Sequence, residues 1–262
     1  MSAARFTMSV DDGHPLDLRM AALLERYGIA STFYLPLSND EGMPVLEPAA
    51  MRELGQAFEL GSHTRSHRFL TTLTAAEAWR QISEGKQMLE DCIGRPVRGF
   101  CYPGGRYRRL HLLQARAAGF VYARTTQNLR IDCGERAFEM PTSAQFYPHP
   151  GAVFRRNFVS QRDWRLRVAA LRVALAEPDW LQRLHRLLDL AIARGGVFHL
   201  WCHSVDIERL QLWGALEGFL QRVAADIAPP QRLCNGDLFS AAQPAAAAAD
   251  PVPLPGPAPA RH

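Results

Sequence analysis

The feature that most constrains this chain is a repeated alternation of short apolar runs with amphipathic stretches, in which run after run stops at a polar cluster. Phe6 to Val10 is strand-like and ends at Asp11-Asp12-Gly13. Met20, Leu23, Leu24 and Tyr27 then recur at three- and four-residue spacing, a helix that Asp17 would cap and Gly28 would end. Ala30 to Leu35 reads as a second strand, and Ala57 to Leu60 as a third that stops at Gly61-Ser-His-Thr-Arg-Ser-His67. Thr74-Ala-Ala-Glu77 is a capping box opening a helix whose face carries Trp79, Ile82, Leu89 and Ile93, up to Gly94. Gly99 to Tyr102 is strand-like and turns at Pro103-Gly-Gly105, and a helix-then-strand pattern follows through Ala118 and Tyr122 to Thr125. A Leu/Arg-rich helix from Asp179 to Arg194 precedes a strand from Gly196 to Trp201, which ends at Cys202-His203-Ser204. Residues 142–164 carry no readable period.

Repeated strand-then-helix units build a parallel sheet, either a barrel or a doubly wound sheet. In an α/β barrel the residues just beyond the strands form the catalytic face. Asp11-Asp12, His63 to His67, the Tyr-Pro-Gly-Gly turn and His203 all fall there, which is the physical reason to read four scattered clusters as one site.

The chain has 262 residues, 47% hydrophobic and 21% charged, the balance of a globular protein with one sizeable core. From about Ala241 onward it is almost entirely Ala and Pro, too poor in packable side chains to stay ordered. The expected organisation is one catalytic domain over residues 1–240 and a disordered tail over 241–262. A net charge of +4 would suit an acidic partner, yet Lys86 is the sole lysine and the arginines are spread along the chain. A nucleic-acid surface needs basic residues clustered on one face, so no nucleic-acid partner is expected. Five widely spaced cysteines without a CxxC pair suit a reducing compartment. The first residues run straight into a strand pattern with no charged and apolar leader, and no apolar run approaches about 18 residues. A cytoplasmic protein without a membrane span is therefore expected. Nothing in the sequence fixes an oligomeric state, and the helices from Trp164 to Leu190 read most simply as solvated amphipathic faces.

His63 and His67 stand four apart, a spacing that turns both imidazoles to one side of a helical turn and lets them grip one cation. Catalytic zinc typically takes about three protein ligands, so a third must come from elsewhere. Asp11-Asp12 supplies it: neighbouring carboxylates on extended backbone point to opposite sides, leaving one for metal and one free. Either pair read alone is also compatible with capping or turn roles. His203 suits a proton donor at neutral pH or a buried hydrogen-bonded histidine, and His199 reads as structural. His14 either lines the site or belongs to the helix start. Trp164, Trp180, Trp201 and Trp213 offer aromatic faces for a sugar or fill the core.

Taken together, the motifs resemble the polysaccharide deacetylase family, the NodB-homology or carbohydrate-esterase-4 group. Ser9-Val-Asp11-Asp12-Gly13 is similar to its first motif, His63-Thr-Arg-Ser-His67 to its second, Cys101-Tyr-Pro103-Gly-Gly105 to its third and Trp201-Cys-His203 to its last. The resemblance implies a distorted (β/α) barrel. It further implies that Asp12, His63 and His67 hold one divalent metal ion, zinc or a similar cation, that Asp11 is the general base, and that His203 protonates the leaving amine. Tyr102, Pro103 and Gly104 would form the substrate and oxyanion wall, with a backbone N–H near Gly104. Cys101 stands where many members have an arginine that tunes the base, so another group, Arg106 for instance, would take that task. The implied activity is hydrolysis of an N-acetyl group on a sugar or glycan precursor. A formyl or ureide hydrolase, or an inactive carbohydrate-binding barrel, stays open beside it.

Overall fold

The computed structural model describes residues 3–240, so the Ala/Pro tail lies outside the described residues. Eight strands are β1 (Arg5–Asp11), β2 (Ser31–Leu35), β3 (Glu59–Ser62), β4 (Gly99–Cys101), β5 (Tyr122–Arg124), β6 (Ala144–Gln145), β7 (Val197–His203) and β8 (Arg232–Leu233). The helices between and after them are α1 (Asp17–Arg26), α2 (Pro48–Ala57), α3 (Ala75–Ile93), α4 (Arg109–Ala117), α5 (Gly151–Ser160), α6 (Trp164–Ala176), α7 (Trp180–Arg194), α8 (Ser204–Arg209), α9 (Trp213–Asp226) and α10 (Asn235–Ser240). The strands run parallel in the order β5-β4-β3-β2-β1-β7-β6, with β8 beside β1. The remaining gap is spanned by 140–145: Met140 bridges Arg124 of β5 at one end, and β6 pairs with β7 at the other. The result is a distorted (β/α) barrel.

Side chains alternate across each strand, and here the alternation separates two interiors. Phe6, Met8 and Val10 of β1 and Phe198, Leu200 and Cys202 of β7 face the helices and join the main core. The intervening residues turn into the barrel. Thr7 donates to Asn235 Oδ1 at 2.7 Å, Ser9 Oγ lies 3.0 Å from His199 Nε2, and Asp11 meets Arg124. The barrel axis is thus a polar column ending at the catalytic face. Burial, then the charge of Arg124, pushes His199 down to about 3, so it stays neutral, and its Nδ1 lies 3.1 Å from Pro141 O. The structural reading of His199 fits this position.

Several local expectations change. Ala57 belongs to α2, which begins with Pro48 at its first turn and buries Met51 and Leu54; β3 starts later, at Glu59. Asp17 does not cap α1. It is drawn inward, fully buried, and accepts a 2.5 Å hydrogen bond from Ser204 Oγ, while burial raises its carboxyl well above the usual range. The Thr74-Glu77 capping box and the left-handed Gly94 that ends α3 are as the sequence reads. The stretch without a readable period contains β6 and α5, both too short and irregular to leave a periodic signal.

Candidate active site

Asp12, His63 and His67 converge beyond β1 and β3. The Asp12 Oδ1 atom lies 3.1 Å from His67 Nε2 and 3.4 Å from His63 Nε2. It is buried and has no hydrogen-bond partner among the described residues, as two imidazole nitrogens aimed at one carboxylate oxygen require something positive between them. His63 Nδ1 lies 2.8 Å from Cys101 O, a bond that assigns the proton to Nδ1 and frees Nε2 as a ligand. One carboxylate and two imidazoles suit a borderline divalent cation such as zinc, so the residues present fit the metal. Burial would raise the Asp12 carboxyl, but the close approach of the His63 and His67 imidazoles, and the charge of His203, hold it well below the usual carboxylate range. Burial opposes charge on His67, and Asp12 overcomes it, lifting that imidazole.

The backbone reaches this arrangement by a different route from the one the spacing suggests. Residues 64–66 form a turn, not a helix, and Thr64 (φ 70°) and His67 (φ 58°) adopt left-handed conformations. The imidazole ring centroids are nevertheless 5.0 Å apart. Asp12 is also left-handed (φ 80°), so it is this twist after the end of β1, rather than strand alternation, that sends the two acids to different partners.

Asp11 is 3% exposed and pairs with Arg124, which is fully buried. The Arg124 guanidinium carbon is 5.3 Å from the Tyr34 ring centroid and 5.1 Å from that of Trp201. Cys101 Sγ is 3.9 Å from the other Asp11 oxygen, Oδ2. Arg106, the sequence candidate for this task, instead stacks on Phe69 at 4.7 Å, on the opposite side of the turn. Arg124 is the functional neighbour that sequence reasoning missed. Its signal was a lone arginine at the end of a predicted strand, visible only once β5 is registered against β4.

Across the cavity His203 Nδ1 lies 3.0 Å from Asp206 Oδ2, and His203 Nε2 is 3.7 Å from Asp12 Oδ2. Burial works against a charged His203, but the hydrogen bond to Asp206 and the charges of Asp12 and Asp11 raise it to about 9. A cation on Asp12 would cancel part of that support, leaving Asp206 as the main one. The Trp201 ring stands edge-on to His203 at 5.3 Å.

These residues line a cavity of about 440 Å³. Tyr102, Gly104 and Gly105 form one wall, and α5 with the loop before it, bearing His149, Arg156 and Asn157, forms another. Gly104 and Gly105 both have positive φ; a Cβ on Gly104 would come within 2.8 Å of the Phe69 ring, and one on Gly105 would overlap Thr126. Pro103 opens this turn and is buried. Of the four candidate tryptophans only Trp201 lines the cavity: Trp180 packs on Phe146, Trp213 on Arg19, and Trp164 is exposed. His14 is not part of the wall; its Nδ1 accepts from Leu16 N–H at 3.1 Å and shapes the entry to α1.

Comparison with known proteins agrees with this geometry. The pattern of the polysaccharide deacetylase family matches residues 2–123. The Bacillus subtilis protein YxkH, named by inference as a polysaccharide deacetylase, is 25% identical over 122 residues, 46% of this chain and 44% of that protein. The match therefore spans less than half the length of this curated relative. An inferred polysaccharide deacetylase from Mycobacterium smegmatis has the same fold with a TM-score of 0.61 and 14% identity, covering 96% of both chains. A family 4 acetyl xylan esterase from Clostridium thermocellum, solved with a cobalt ion, gives a TM-score of 0.54 and 13% identity over 90% of both chains. In sequence, residues 2–123 are similar to the polysaccharide deacetylase family, and nearly the whole chain shares the fold of these solved structures.

Proposed function

We propose that the chain is a divalent-metal-dependent deacetylase that hydrolyses an N-acetyl group of a sugar or glycan precursor, releasing acetate and the free amine, with residues 1–240 as its catalytic domain. The observation that carries this reading is one orphaned carboxylate oxygen facing two imidazole nitrogens, with a second acid and a third histidine on the same cavity wall. Bound to Asp12, His63 and His67, zinc or a similar ion would supply Lewis acidity toward water and the acetyl carbonyl. Asp11, which lines the cavity and has Oδ1 engaged by Arg124, takes the proton of the attacking water. Gly104 lines the cavity in a left-handed turn with no room for a side chain beside Phe69, and its N–H would receive the developing oxyanion. His203, held by Asp206, hands a proton to the departing nitrogen as the C–N bond breaks, and the Trp201 face beside it takes the sugar ring.

The shape of the cavity bears on the substrate. Its wall draws on the loops after β1, β3, β4, β5, β6 and β7 and on α5. A cavity of about 440 Å³ suits one or two sugar units. All five cysteines are unpaired, as a reducing compartment such as the cytoplasm would leave them. No helix among the described residues is long and apolar enough to cross a membrane.

The test is metal content together with acetate release from a panel of N-acetyl sugars and sugar nucleotides, for the intact protein, Asp11→Asn and His63→Ala. About one metal per chain and acetate release that depends on Asp11 are expected. Metal binding with no turnover of any acetyl substrate would transfer the site to another amide or to pure binding.

A further inference from the structure

Position 101 lacks the arginine that the family places beside its base, yet Asp11 has an arginine. Cys101 of β4 and Arg124 of β5 are register partners on adjacent strands, and both point into the barrel at Asp11.

The chain itself shows what a buried structural arginine looks like. Arg167 is fully buried, and its guanidinium is used up by the carbonyls of Asn128, Asn157 and Phe158 and by the side chains of Asn128 and Gln161. Arg183 is satisfied in the same way by carbonyls of Ala174, Glu177 and His149. Arg124 is not. Its Nε and Nη1 have no hydrogen-bond partner among the described residues, and its one polar contact is Nη2 with Asp11 Oδ1. A guanidinium kept only for packing would be a poor use of buried donors. Tyr34 and Trp201 hold it by their ring faces, which fixes its place without competing for its charge.

We propose that Arg124 is the positioning residue of the base: it locks Asp11 Oδ1, leaves Oδ2 toward the cavity, and keeps Asp11 out of the cation's ligand set. The last consequence follows because Asp11 and His63 also approach closely enough, with Cys101, to form a competing ligand group. An Asp11 engaged by Arg124 is not available to it. This inference rests on the reading of Asp11 as the base, and its test separates the two.

The variants are Arg124→Met, Arg124→Gln and the double variant Arg124→Gln/Cys101→Arg, which returns the guanidinium to β4. Each is titrated with Co²⁺ and followed by its visible d–d spectrum, and acetate release from N-acetylglucosamine oligomers gives kcat and KM. Expected are a kcat lowered about 100-fold in the single variants with KM little changed, and recovery of most of that loss in the double variant. The cobalt spectrum of the single variants should change as the freed carboxylate joins the ion, and return to the wild-type form in Arg124→Gln/Asp11→Asn. A folded single variant with kcat within about threefold of wild type, or a folded double variant with no recovery, overturns the proposal. If the wild-type protein releases no acetate, the deacetylase reading fails and the spectrum alone decides: an unchanged spectrum in Arg124→Gln overturns the positioning role. If Arg124→Met does not fold, Arg124→Gln, which keeps polar atoms in the buried site, carries the same outcomes.

Discussion

Replacing Asp206 by Asn isolates the proton donor. His203 rises from 6.5 to about 9, which corresponds to about 3 kcal/mol in favour of the protonated ring. Burial works against this, so the supporting groups supply more than the net figure. The 3.0 Å bond to Asp206 heads them, followed by the charges of Asp12 and Asp11. A metal on Asp12 and the guanidinium on Asp11 neutralise two of the three, so in the loaded enzyme Asp206 is the principal support. Its loss should remove about 1–1.5 kcal/mol, or about one pH unit of proton affinity. The sign is fixed: a group that must be protonated to act loses activity as pH rises through its pKa, so lowering that pKa moves the alkaline limb of kcat/KM downward by about one unit. The same raised value stabilises the folded metal-free protein below pH 6.5, and that contribution fades as pH climbs to about 9. The assay is kcat/KM against pH for wild type, Asp206→Asn and His203→Asn on one acetyl substrate. An alkaline limb that stays in place in Asp206→Asn while kcat is retained would refute the assignment of His203 as the acid held by Asp206.

Three other perturbations have defined outcomes. Gly104→Ala must adopt φ 60° and meet Phe69 at 2.8 Å, so it should cost about 1–3 kcal/mol and depress kcat more than binding, read by thermal melting and steady-state kinetics. Metal should stabilise the wild-type fold by about 4 kcal/mol at 1,000 times its Kd, and in His63→Ala the melting temperatures with metal and with a chelator should coincide. Arg156, on the cavity wall and without an acidic partner among the described residues, should matter for anionic substrates: Arg156→Glu should raise KM for a sugar nucleotide by about tenfold and leave KM for a neutral N-acetyl sugar nearly unchanged. Equal effects on both substrates would remove Arg156 from recognition.

Much of the scaffold was legible because its signals are local. The strand-helix alternation, the capping box at Thr74 and Glu77, and the placement of each polar cluster beyond a strand need only short stretches of sequence. The site was legible as a set of residues but not as a mechanism of assembly. Helical spacing suggested that His63 and His67 face one way; the chain achieves this through left-handed Thr64 and His67, and single left-handed residues leave no periodic trace. Asp17 was misread because an acid at a helix start usually caps, whereas here the partner is Ser204, remote in sequence. Arg124 was beyond reach for a related reason. Its meaning depends on the β4–β5 register, which is a tertiary fact.

The alternation of β1 and β7 shows how a buried arginine on a distant strand reaches the acid at the end of β1. Thr7, Ser9 and Asp11 on one strand and His199, Trp201 and His203 on the other form polar rungs inside the barrel, each rung opposite its neighbour in register. Asp11 meets Arg124 at the top rung; below it Ser9 reaches diagonally to His199, which is held neutral. In such a column a cation serves the base from any strand whose inward residue reaches the top rung, and β4 and β5 both qualify at Cys101 and Arg124. In this chain one guanidinium stands at that level, with the small Cys101 beside it. A second arginine at 101 beside Arg124 would place two buried cations on one carboxylate, so the single variant Cys101→Arg should be worse than either arrangement with one.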